Sequence, residues 1–332
     1  MAIDRTGIVN RMKTQTIGVE IEMYNISRET AAKVAADFFG THRYEYTAYS
    51  YSDGYYTWSA WDTQGRRWKF MRDSTIIDTD DNKCEMTTPI LHYDDIPMLQ
   101  ELVRRLRKAG AKSDCGHQCG VHIHVGASDH TPQSLTNLVN VMASHENLLK
   151  DSLGIDEERI EMWCKFVDTT FLDVLNQRKP RTLGAFADVW YGYNHTRSGW
   201  SFCDGDRTHH YNESRYRMLN LHATFTKGTV EFRCFNFQNP NGERRNGLHA
   251  GQLKSWIQLV LAINQFAKDS KFCKRPRCAE SNQLRTLRNF INNLGLGGEE
   301  FATLRQILTA NFTRNAARTA RRTADDIALM AV

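Results

Sequence analysis

A short stretch near the start of the chain, Thr16-Ile17-Gly18-Val19-Glu20-Ile21-Glu22-Met23, constrains the fold more than any other. Val19, Ile21 and Met23 alternate with Glu20 and Glu22, which is the period of a strand with one buried face. Same-face residues on a strand lie roughly 6.6 Å apart. The two carboxylates therefore stand side by side and repel unless a cation sits between or beside them. A lone Glu-x-Glu is more often a solvated edge strand, but here the pattern recurs. Val121-His122-Ile123-His124-Val125 turns two imidazoles to one side, and Val230-Glu231-Phe232-Arg233-Cys234 turns a carboxylate and a guanidinium. Glu85 lies in another short strand candidate, Lys83 to Thr88, closed by Pro89. The apolar sides of these strands need a common core, and a single sheet with a charged, concave face supplies it.

Carboxylates with one or two imidazoles and no obvious thiolate set suit Mg²⁺ or Mn²⁺, the ions that hold phosphates. Arg233, beside Glu231, is the residue type expected to meet a phosphoryl oxygen. The 332 residues can bury a large core, and the net charge of +5 is too mild to imply nucleic acid. No run approaches the ~18 apolar residues of a membrane span, and Met1 to Arg5 lack the regions of a signal peptide, so a cytoplasmic protein is expected. The eight cysteines are then most simply reduced thiols. Cys115-Gly-His117-Gln-Cys119 and the Cys273/Cys278 pair are candidates for structural zinc, although neither has the usual ligand spacing.

Along the chain, Ser27 caps a helix over 28–39 that Gly40 ends. Three antiparallel strands are expected near 44–51, 55–61 and 66–72, with turns at Ser52-Asp53-Gly54 and Asp62-Thr63-Gln64-Gly65. Helices are expected over 94–109, 132–149, 156–177 and 247–268, with Trp163, Phe166 and Phe171 in the core. Residues 179–213, rich in glycine and polar aromatics, read as a long loop of the kind that serves as a functional lid; its His195, His209 and His210 read as ordinary exposed residues. Residues 217–225 and 229–235 read as a hairpin about Lys227-Gly228. Beyond Pro276 only helices are expected, near 281–293, 299–311 and 313–330, with Arg314, Arg318, Arg321 and Arg322 on one face. The division is thus 1–275 as the catalytic domain and 276–332 as a helical C-terminal extension.

Together these residues resemble the amidoligase family of carboxylate–amine ligases, relatives of glutamine synthetase and glutamate–cysteine ligase. The matching elements are Gly18 to Glu22, Trp68 through Asp73-Ser74-Thr75, Glu85 to Pro89, Cys119 to Val125, Ser214-Arg215-Tyr216 with Leu219-Asn220-Leu221, and Thr229 to Asn236. They follow the family's order over roughly residues 16–268. Thr75 stands where relatives often have a second serine, and the 179–213 segment and the helical tail fall outside the family pattern. The resemblance implies an α+β, glutamine-synthetase-like fold: an antiparallel sheet whose concave face holds ATP and divalent ions, packed by helices. It implies Glu20, Glu22, Glu85, His122 and Glu231 as metal ligands, His124 as a nucleotide contact and Arg233 as a phosphate contact. Arg215 would face phosphates or an acceptor carboxylate, and Asp73 would stand near the amine substrate.

The chemistry implied is ATP-dependent amide or isopeptide formation with Mg²⁺ or Mn²⁺. A carboxylate takes the γ-phosphoryl group, becomes an acyl phosphate and is attacked by an amine. The partners expected are small-molecule or peptide carboxylates and amines, with no membrane and no nucleic acid. The sequence leaves the oligomeric state open, a homo-oligomer included. A metal-dependent hydrolase or nuclease would use the same carboxylate and imidazole set but does not account for Glu-x-Arg beside it. A silent binding module does not account for the intact set.

Overall fold

The computed structural model describes residues 4–47, 56–193, 206–209, 211–237, 247–274 and 282–313. Eight strands form one sheet in the order β2-β3-β4-β5-β1-β6-β8-β7. They are β1 (Ile17–Met23), β2 (Tyr44–Tyr46), β3 (Trp58–Trp61), β4 (Arg67–Met71), β5 (Cys84–Thr87), β6 (Val121–Gly126), β7 (Leu219–Asn220) and β8 (Thr229–Phe235). Every neighbouring pair is antiparallel. The expected mixture of helices around an antiparallel sheet is therefore present, with the Glu-x-Glu strand at its middle.

The alternation read in the sequence sorts the two faces. Val19, Ile21, Phe70, Met86, Ile123 and Phe232 are essentially buried on one side. Against that side pack α2 (Arg28–Phe39) and α9 (Ala250–Asp269), and α3 (Ile96–Lys108) packs on both of these helices. α2 is delimited as expected: the Ser27 hydroxyl accepts from Thr30 N, and Gly40 takes φ 72°, a left-handed turn that costs glycine little. α1 (Arg5–Met12), which the pattern did not predict, lies along α9 and is capped by Asp4. α4 (Pro132–Leu153) runs four residues further than expected, from a Thr131 cap to Gly154.

Three expectations need correction. The helix over 156–177 is two, α5 (Glu157–Met162) and α6 (Thr169–Arg178), and of its three aromatics only Phe171 is fully buried. The 179–213 segment is not simply a loop: α7 (Leu183–Tyr193) buries Phe186, Val189 and Trp190 at helical spacing, and Trp190 Nε1 donates to Ser214 Oγ at 2.9 Å. The hairpin's first arm is a two-residue strand followed by α8 (His222–Thr226). Asn220 Oδ1 accepts from His222 N and starts that helical turn, which β-branched and aromatic residues had disguised.

Of the helical tail, α10 (Gln283–Asn293) and residues 302–313 are present, and Leu287, Ile291, Leu304 and Leu308 join the same buried cluster as the sheet. The expected turn at Ser52-Asp53-Gly54, His195, His210, Cys203, Cys278 and the arginines from Arg314 to Arg322 lie outside the described residues. No helix among the described residues is long and apolar enough to cross a membrane.

Candidate active site on the polar face of the sheet

The site is assembled by strand register. Glu20 pairs with His122, Glu22 with Glu85, and His124 with both Gly18 and Glu231. Side chains at paired positions share a face, so Glu20, Glu22, Glu85, His122, His124 and Glu231 all stand on the side opposite the helix-covered core. His122 Nδ1 lies 3.0 Å from Glu20 Oε2 and 3.7 Å from Glu231 Oε1, and His122 Nε2 lies 3.7 Å from Glu22 Oε1. His124 Nε2 lies 3.3 Å from Glu20 Oε1, while its Nδ1 meets Thr229 Oγ1 at 2.9 Å. Arg233 Nη1 is hydrogen-bonded to Glu231 Oε1. Among the described residues, Glu20, His122 and Glu231 form the one group of three donors whose ligating atoms lie within 4.8 Å of one another.

Glu231 is 1% exposed, and a carboxylate so buried survives only among cations and donors. Burial by itself raises its pKa. The Arg233 guanidinium, then His124, outweigh this and hold the carboxyl well below the usual range. Glu20 is likewise held low, burial again being outweighed, here by His124 and the His122 hydrogen bond. Glu85 moves the other way: burial, then the charges of Glu20, Asp73 and Glu22, push it well above its ordinary value. Burial and then Arg233 lower His122. The acidic groups thus outnumber the cations facing them, and Glu85 registers the surplus. Of the cluster's buried nitrogens, Arg233 Nε makes no hydrogen bond, and His124 Nε2 faces the Glu20 and Glu231 carboxylates at 3.3 and 3.9 Å without a well-aligned bond to either. Oxygen donors from three strands, an imidazole and surplus negative charge are what a small divalent cation requires, so the residues fit Mg²⁺ or Mn²⁺.

The remaining expected residues lie around this cluster. Asp73 Oδ1 accepts from Thr75 N and Oγ1 at 2.6 Å each, and its charge reaches Glu85. Arg215 is half-buried, 5.6 Å from the Tyr211 ring and 5.7 Å from that of Tyr216, whose ring is also 5.8 Å from Arg233. Three contributors escaped the sequence reading. Asn220 Nδ2 donates to Glu231 Oε2 at 2.6 Å, Thr229 orients His124, and Lys227 Nζ reaches within 3.8 Å of Glu20. Asn220 was visible as one polar residue between Leu219 and Leu221; Lys227 was disguised as a turn.

Cys115, His117 and Cys119 do not converge as zinc ligands. Cys115 is exposed, Cys119 is buried with its Sγ 3.7 Å from the His117 carbonyl, and His117 Nδ1 is 2.8 Å from Asp114. Both thiols are raised in pKa, chiefly by burial. His209 uses its ring to accept from Tyr211 N and its carbonyl to meet His222, as an ordinary loop residue does.

Residues 13–264 match the family described as "Putative amidoligase enzyme". The chain belongs to this amidoligase family. Among solved structures it is similar to the crystal structure of a bifunctional glutathione synthetase from Pasteurella multocida, at 11% identity and a TM-score of 0.43. That likeness covers 94% of this chain and 49% of the other, so the chain spans about half that protein's length. No curated protein matches the chain significantly.

Proposed function

We propose that the chain is an ATP-dependent carboxylate–amine ligase that forms an amide or isopeptide bond through an acyl phosphate, on a glutamine-synthetase-like sheet. One observation carries the reading: Glu20, His122 and Glu231 converge from three adjacent strands with Arg233 bonded to one of them. Membership of the amidoligase family supports it. Glu20, Glu22, Glu85, His122 and Glu231 would hold Mg²⁺ or Mn²⁺. Bound there, such ions neutralise phosphate charge and favour phosphoryl transfer.

The chain's own groups would do the rest. Arg233 offers its unpartnered Nε to a phosphoryl oxygen, a donor fixed in place before charge develops. His124, oriented by Thr229, offers Nε2 to the nucleotide. Arg215, beside the Tyr211 and Tyr216 rings, would meet an anionic group of phosphate or acid. The attacking amine must lose a proton, and Asp73, near the carboxylate cluster, is our candidate acceptor. Small or peptide acids and amines are the expected substrates.

The test is a mass-spectrometric screen of acid–amine pools incubated with ATP and Mg²⁺. The reading expects a product of mass acid plus amine minus water, with ADP formed only when both partners are present. ATP-independent cleavage of an amide or phosphodiester would favour a metal-dependent hydrolase instead.

A further inference from the structure

Arg159, on α5, belongs to none of the strands that build the cluster, yet its guanidinium reaches them. It is 6% exposed, and its Nη2 donates to the backbone carbonyl of Arg233 at 3.2 Å. That carbonyl lies in a β-bulge. Between the pairs Ile123–Phe232 and Val121–Phe235, β8 spends three steps against two on β6. A bulge leaves backbone groups unpaired by the neighbouring strand, and here the arginine supplies a donor. The same end of the guanidinium also closes on Gly120, where a Cβ would stand 1.8 Å from Nη2 and 2.4 Å from Cζ. Gly120 in turn donates its N–H to Glu22 Oε2, and its carbonyl accepts from Glu22 N at 3.1 Å. One side chain therefore touches the backbone behind two members of the cluster.

We propose that Arg159 is a positioning residue: seated in the bulge between β6 and β8, its guanidinium fixes the backbone at Gly120 and Arg233 and so sets where the Glu22 carboxylate and the Arg233 guanidinium point. The catalytic half of this statement rests on the ligase reading above; the structural half does not. The choice of arginine follows from the geometry. A planar guanidinium fills the space beside Gly120 with two nitrogens and Cζ while one of those nitrogens donates to the carbonyl, whereas a lysine ammonium is a compact point charge that can do only the second. Gly120 is the complement, since any side chain there would meet the guanidinium. The contact also explains why no local pattern reveals Arg159: it acts across 74 positions of sequence.

Two readouts on the full-length chain test this, in Arg159→Met, Arg159→Lys and Gly120→Ala. The first is amide hydrogen exchange. Loss of the guanidinium contact should speed exchange at Gly120 and at Cys234, whose N–H shares a peptide unit with the Arg233 carbonyl, while the β1–β5 ladder keeps its protection. Gly120→Ala, which drives the guanidinium out without removing it, should do the same, so a misfolded Arg159→Met would not leave the question without an answer. The second is Mn²⁺ affinity, followed by electron paramagnetic resonance. Misplacing a ligand's support should weaken it roughly tenfold or more, with Arg159→Lys recovering only part. Parent-like exchange at both amides in these variants would overturn the proposal. So would faster exchange with parental Mn²⁺ affinity, since the arginine would then merely plug the bulge. A parent chain that takes up no Mn²⁺ would instead remove the ligase reading, and the exchange data would still decide whether Arg159 holds the two amides.

Discussion

Arg233 carries the sharpest residue-level expectation. It is buried, pairs with Glu231 and keeps Nε without a hydrogen-bond partner. If that nitrogen serves the transferring phosphoryl group, Arg233→Lys keeps the charge and loses the fork. ATP binding should stay within a few-fold of the parent, while turnover on the substrate pair found by the screen falls on the order of 10² or more. Arg233→Ala should be at least as damaging. Near-parent turnover in the lysine variant would reduce the arginine to a counter-ion for Glu231. Glu146, on α4, gives a pH expectation. Burial lifts its carboxyl to about 8, although it accepts from Val167 N and feels Arg217. Its unfolded value is about 4.3, so the folded chain retains a proton that the unfolded chain loses. Stability from this group is complete below that lower value and is lost as pH rises through 8. Glu146→Gln has no charge to bury, so its Tm relative to the parent should climb between about pH 5 and pH 8.5. A pH-independent difference would place the carboxylate in a better-paired setting than its burial implies.

At the scale of elements, legibility followed periodicity. β1, β6 and β8 declared both faces, because each alternates ionisable and apolar residues for at least five positions. α2 declared both ends, because Ser27 and Gly40 are the residue types those ends require. α7 was missed although Phe186, Val189 and Trp190 stand at helical spacing, since Gly184, Gly192 and the surrounding polar aromatics hid the run. α8 was missed because its side chains favour a strand and an Asn220 hydrogen bond decides otherwise. Trp190 tests α7: it is 2% exposed, edge-on to Phe171 at 5.2 Å and bonded to Ser214. Trp190→Ala should cost about 3–5 kcal/mol in denaturant unfolding. A cost below about 1 kcal/mol would mean that this helix rests on the fold without supporting it.

Across the whole molecule, the sheet divides labour by face, with one side bearing the helices and the common core and the other bearing charge. That division was readable because period 2 is a local property, as was the membership of most of the cluster. The contributions of Asn220, Thr229, Lys227 and Arg159 were not readable, because each depends on which strands become neighbours, and that order is a property of the folded sheet. Leu287, Ile291, Leu304 and Leu308 also enter the core, tied on through contacts with no periodic announcement at the partner positions: Ser152 Oγ donates to the Leu308 carbonyl, and at the surface Glu300 meets both Lys13 and Tyr93. The proposed reading makes the charged face a divalent-cation site built for a nucleotide. Mn²⁺ titration by electron paramagnetic resonance, with and without a non-hydrolysable ATP analogue, tests it most directly. Uptake by the parent should tighten with the analogue and be lost in Glu20→Gln and in Glu231→Gln, both still folded. No uptake by the parent, or uptake indifferent to both substitutions, would contradict it.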